Sequence, residues 1–194
     1  MEEFHDEGIA WPSFVDFLSI FVFLLFLFIG SLLYLQTGDV ELATFLTNSQ
    51  ELRGRLNGAG IENYTRGRMQ IIPLKNRLKF GSGQHELTPG HKAFLRQLGS
   101  ILSSAAACRR IIVAGYADGV PVSNDPFGNW KLSSARAQNV LEFFFNCRDC
   151  GYGEEIRRRL VLSGEGDTGS KNLRSDPGAR RVDIIVDYTD DAGR

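Results

Sequence analysis

The stretch RRIIVAGYADGVPVSNDPFGNWKLSSARAQNVLEFFFN, Arg109–Asn146, contains both hydrophobic periods from which an α/β domain is built. Arg109–Ala117 is a short apolar run of strand length, whereas Trp130–Asn146 repeats its apolar residues at helical spacing. Between them, Gly119, Pro121, Pro126 and Gly128 mark a loop.

The same alternation continues on both sides. Upstream, Thr88-Pro89 reads as an N-cap and first-turn proline, and Phe94, Leu95, Leu98, Ile101 and Leu102 follow at helical spacing. Before it, Arg68–Phe80 reads as a strand in which Pro73 demotes the middle to an edge or bulge. Asn57–Gly67, with three glycines, reads as a break between this domain and what precedes it. Downstream, Arg159–Ser163 and Arg180–Tyr188 read as strands. The order strand, helix, strand, helix, strand, strand predicts a small α/β (α+β) sandwich over residues 68–189, followed by a short tail, 190–194.

At the other end of the chain, WPSFVDFLSIFVFLLFLFIGSLLYL, Trp11–Leu35, is apolar except for Asp16. As a helix, Pro12–Leu35 reaches about 36 Å, enough for a hydrocarbon core of about 30 Å, which predicts one transmembrane helix over 11–36. The run is longer than the apolar core of a signal peptide and has no basic stretch before it, so it is expected to be retained. Residues 1–10, acidic and containing His5, read as a solvated tail. Intramembrane acids face a partner, a cavity or an ion path, which makes Asp16 a functional candidate. The alternative is that it snorkels to the interface near the helix N-terminus. The first basic residues beyond the span, Arg53 and Arg55, taken alone favour an outside N-terminus.

Between span and domain, residues 37–67 form a linker in which Leu42, Phe45, Leu46, Ser49, Leu52 and Leu56 fall near one helical stripe. This amphipathic helix is either a stalk that pairs with a second copy or a plug that lies on the membrane and closes an ion path.

The 194 residues carry 22 basic and 23 acidic side chains, a balance that gives no electrostatic reason to expect a nucleic-acid partner. Cys108, Cys147 and Cys150 lack the second pair that zinc would need. Outside the cytoplasm, Cys147 could bridge to Cys150 or to Cys108. There is no Ser-His-Asp set, paired acid site or phosphate loop, so neither catalytic residues nor a cofactor nor a metal is expected. Glu165, His85 and His91 read as turn and surface residues.

Gly115–Phe144 resembles the peptidoglycan-binding domain shared by OmpA, Pal and the flagellar stator protein MotB. In that family a strand ends in G-H-[TA]-D, and N-x-x-L-S-x-x-R-A-x-x-V opens a helix. Here the matching residues are Gly115, Ala117, Asp118, Asn129, Leu132, Ser133, Arg136, Ala137 and Val140, with Tyr116 where His is usual. Leu78–Pro89, the GEG at Gly164–Gly166 and RRVDI at Arg180–Ile184 support the likeness, and Trp130 resembles the N-W-x-L-S form of MotB-type members.

The resemblance implies a peptidoglycan site at Asp118, Asn129, Ser133 and Arg136. Asp118 would accept from the ammonium of a stem-peptide diaminopimelate, and Arg136 would fork onto its carboxylate. A structural Asp118–Arg136 pair across the loop is the competing reading. Asn129 is expected to cap the helix and orient the loop, and Leu132 to belong to the core. The span resembles the MotB-type Y-A-D-F-M-T segment, which implies ion carriage by Asp16 with Ser19 nearby. By the same resemblance the chain is an inner-membrane homodimer with a cytoplasmic N-terminus and a periplasmic C-terminal domain. It would work with a pentamer of a MotA-like polytopic protein as a proton-driven rotary motor. The output is either anti-phage defence of the Zorya type, which the acidic tail slightly favours, or flagellar torque. A passive anchor to the wall is the alternative.

Overall fold

The structure, a computed structural model, describes residues 10–105, 108–121, 125–147, 150, 154–168 and 176–189. The expected tails therefore lie outside the described residues, apart from Ala10, as do the two residues between Cys147 and Cys150. The elements are α1 (Ala10–Gly58), β1 (Tyr64–Arg66), β2 (Met69–Pro73), α2 (Pro89–Leu102), β3 (Arg110–Gly115), α3 (Gly128–Asn146), α4 (Glu154–Arg159), β4 (Leu160–Gly164) and β5 (Val182–Asp187). They divide into two compact units, with the boundary between Thr44 and Phe45.

The first unit is helical. Its Phe14–Tyr34 segment, 21 residues, is long and apolar enough to cross a membrane, and none of its hydrophobic window is buried. The helix continues through Gly38.

In the second unit, five strands form one sheet in the order β1-β2-β5-β3-β4. Only β3 and β4 run parallel. Period-2 alternation sends Ile72, Ile111, Val113, Val182, Ile184 and Val186 into a core shared with Leu95 and Leu98 of α2 and Val140 and Phe144 of α3. Phe45, Leu52 and Leu56 join that core, and Phe45 meets the Tyr188 ring edge-on at 5.5 Å. Ser49 is buried on the same stripe, whereas Leu42 and Leu46 are exposed. The folded unit thus takes in residues that the sequence reading placed in the linker.

Three local readings are corrected. Pro73 ends β2 rather than interrupting it. β1 pairs only as far as Ile71, so the missing N–H of Pro73 faces no strand on that side. The supposed break at 57–67 contains β1, joined to β2 by a tight turn with Gly67 at φ +59°. His91 is buried rather than on the surface. It completes a capping box in which Thr88 Oγ1 accepts from the His91 N–H at 3.2 Å and His91 Nδ1 accepts from the Thr88 N–H at 3.4 Å.

Helix α3 lies unusually close to the sheet. A Cβ on Gly115 would collide with the main-chain carbonyl of Ser133, which cannot move without moving the helix. Gly115→Ala is therefore expected to cost about 2–3 kcal/mol, lowering the thermal midpoint by roughly 5–10 °C. On the exposed side of α1, where Gly54 has open space around its Cβ position, Gly54→Ala is expected to stabilise by about 0.5–1 kcal/mol. Thermal unfolding of both variants checks the contrast.

Burial holds the His91 imidazole below its ordinary value of 6.5. The unfolded chain therefore takes up this proton first. Stability is expected to fall as pH drops through about 6.5 and to stop falling, for this group, below the folded value. His91→Gln, which keeps a capping-box acceptor, should remove that component from a denaturant titration repeated between pH 7.5 and 5.5.

Candidate functional site

The close approach at Gly115 brings the first turns of α3 against the ends of β3 and β4. Ser133 Oγ donates to the Trp130 carbonyl and accepts from the buried Gly166 N–H, both at 2.9 Å. Gly166, at φ +59°, lies against the Trp130 indole. The GEG turn is thereby fastened to α3 beside the chain leaving β3.

That chain carries Asp118, whose side chain is only 6% exposed. Its carboxylate Oδ2 accepts from Arg180 Nε at 2.9 Å and Nη2 at 2.7 Å. Its main-chain carbonyl accepts from Asn129 Nδ2 at 3.1 Å. Asn129 therefore orients the loop as expected but does not cap the helix. The N-cap is Phe127, which makes no side-chain cap bond, and Asn129 is the second residue of the helix. Leu132 is buried, as the core reading requires.

Arg136 is fully buried. Its guanidinium donates to three main-chain carbonyls: Gln84 at 2.9 Å through Nε, Tyr116 at 2.9 Å through Nη1 and Gly81 at 3.2 Å through Nη2. It also stands 5.3 Å from the centre of the Phe80 ring. Desolvation, with the Arg180 charge nearby, pushes its pKa down to about 10, and Asp118 opposes that shift.

All four expected residues thus gather at the start of α3, but with partners that the sequence reading did not assign. Asp118 pairs with Arg180, not Arg136, and Ser133 joins two turns. Tyr116 is engaged by the Arg181 guanidinium, 4.2 Å from its ring centre, so here its carbonyl rather than its ring serves Arg136. Burial, with Asp183 and Glu165 nearby, raises the Tyr116 hydroxyl to about 12. Arg180 is the residue missed. Its only sequence signal is its place at the head of RRVDI, and its partner is 62 residues away.

In the other unit, Asp16 and Ser19 lie exposed one turn apart on α1. Ser19 Oγ donates to the Val15 carbonyl at 2.8 Å, which leaves its lone pairs to accept. Cys147 and Cys150 form a disulfide, and Cys108 keeps a buried thiol. Among the described residues, no group of three or more His, Cys, Asp or Glu side chains could hold a metal ion.

The OmpA family profile matches residues 79–183, more than half of the chain and all of the site's polar set. The chain belongs to the OmpA family. Within that fold, it is similar to a MotB-like protein from Desulfovibrio vulgaris, with a TM-score of 0.60 and 22% identity over 79% of this chain and 97% of that one. The periplasmic domain of Helicobacter pylori MotB aligns with a TM-score of 0.55 and 18% identity, covering 67% of this chain and 80% of that one. The cell wall anchor of the Pseudomonas aeruginosa T6SS aligns with a TM-score of 0.51 and 21% identity, covering 72% and 95%. The truncated flagellar export/assembly protein LafU of Escherichia coli K12 is 28% identical over 131 residues, 61% of this chain and 58% of that protein. The match thus spans little more than half the length of this curated relative.

A lysine cannot span three carbonyls held in the plane of a guanidinium. Arg136→Lys is accordingly expected to destabilise the domain by about 3 kcal/mol, read from chemical unfolding.

Proposed function

We propose that the chain is a peptidoglycan-anchored subunit of a proton-driven membrane motor. The observation that carries the wall-binding half is the nearly enclosed Asp118 carboxylate at the end of β3, held beside Arg136 in an OmpA-family domain. A stem-peptide diaminopimelate offers an ammonium to Asp118 and a carboxylate to the guanidinium of Arg136. Three of the five Arg136 N–H groups are engaged by the carbonyls described, and the guanidinium is fully buried, so in this arrangement it draws a ligand carboxylate by its charge rather than by direct contact. Asn129 and Ser133 hold the loop and the turn around it.

The motor half rests on Asp16, a single carboxyl in an otherwise apolar span. Placed against a partner, it would bind and release a proton as its access to water changes, and one carboxyl suffices for that. In this reading residues 1–10 are cytoplasmic, 11–36 span the inner membrane, 37–67 link, as stalk or plug, and 68–189 lie in the periplasm. Two copies thread a pentamer of a MotA-like polytopic protein, and wall binding holds them still so that the ring turns. The output is anti-phage defence of the Zorya type or flagellar torque. The likeness to MotB domains supports the motor class without choosing between the two.

Asp118→Ala is expected to reduce cosedimentation with purified sacculi by about tenfold or more. Asp16→Asn should leave sedimentation intact while abolishing motor output in the host. Full output from Asp16→Asn would reduce the chain to a passive wall anchor.

A further inference from the structure

The two oxygens of Asp118 stand in different surroundings. Oδ2 accepts both Nε and Nη2 of Arg180, whereas Oδ1 has no hydrogen-bond partner among the described residues. Both donors belong to one planar guanidinium, so they fix where Oδ2 sits. Because the carboxylate is planar, they also restrict where Oδ1 points. The Arg180 arm is rooted firmly. The next residue, Arg181, accepts the Tyr116 N–H at 2.9 Å through its carbonyl, stacks on the Tyr116 ring, and donates from Nε to Asp183 Oδ2 at 3.1 Å. Rooted in this way, Arg180 meets Asp118 with its side chain only 11% exposed.

The charge balance makes this orientation matter. Arg136 and Arg180 set two positive charges against the one negative charge of Asp118, so net charge alone does not attract a cation. A ligand ammonium gains only through a direct, well-aimed hydrogen bond to the carboxylate.

We infer that Arg180 is a positioning residue for recognition: it occupies Oδ2 so that Oδ1 is presented to the ligand, and it thereby sets a preference for stem peptides with a free ammonium over acylated ones. This rests on the wall-binding reading above and names the group that gives the site its selectivity.

The test is cosedimentation of the full chain in detergent with purified sacculi, either native or with their free amino groups acetylated. It is run on wild type, Arg180→Lys and Arg180→Gln, with a thermal midpoint for each. Wild type is expected to favour native sacculi by about tenfold. Arg180→Gln should bring that ratio to about twofold or less, and Arg180→Lys, which restores charge without the fork, should fall between. A purely structural role would weaken binding to both preparations in proportion to lost stability and leave the ratio unchanged. An unchanged ratio in either folded variant overturns the inference. If wild type sediments with neither preparation, the wall-binding reading itself fails and takes this inference with it.

Discussion

The buried guanidinium of Arg136 is the interaction on which the arrangement of the domain depends. Placing a cation in a closed interior costs several kcal/mol unless its donors are met. Here three carbonyls from two separate segments meet them: Gly81 and Gln84 ahead of α2, and Tyr116 beyond β3. The side chain ties both segments to α3. Asp118 follows Tyr116 by two residues, so the position of its carboxylate is set by the same group.

A second constraint is steric. Gly115 gives α3 room to approach the sheet, and that approach lets Ser133 reach the Gly166 N–H. The polar set is therefore held by side chains of α3, a helix fixed on the sheet, that bond the main chain of the turns beside it, a sounder basis for a binding geometry than a loop alone. The ion pair of Asp118 with Arg180 is nearly enclosed and doubly hydrogen-bonded, unlike the exposed Arg55–Glu51 pair on α1. Exposed pairs of that kind contribute little, whereas an enclosed one fixes geometry.

Much of this architecture is legible in the residues. The span announces itself by length, α2 by Thr88-Pro89, and β3, α3 and β5 by their periods. The elements that escape are short or carry misleading punctuation: β1 is three residues among glycines, and α4 is a brief run ahead of β4. His91 reads as surface because nothing local shows that a capping box turns it inward. The site's residue types are visible in the motif, but their partners are not. Asp118 and Arg180 are brought together by the pairing of β5 with β3, and the buried state of Arg136 depends on carbonyls, which no side-chain pattern reveals.

The two halves of the proposed function ask different things of the chain. Wall binding needs one folded domain, whereas ion-driven rotation needs Asp16 in contact with a partner that the chain does not contain. The measurement that bears most directly on the whole account is native mass spectrometry of the complex drawn from its host's membranes through this chain. The account predicts two copies with five of a polytopic membrane protein. Recovery of this chain alone, or only with wall fragments, would contradict it.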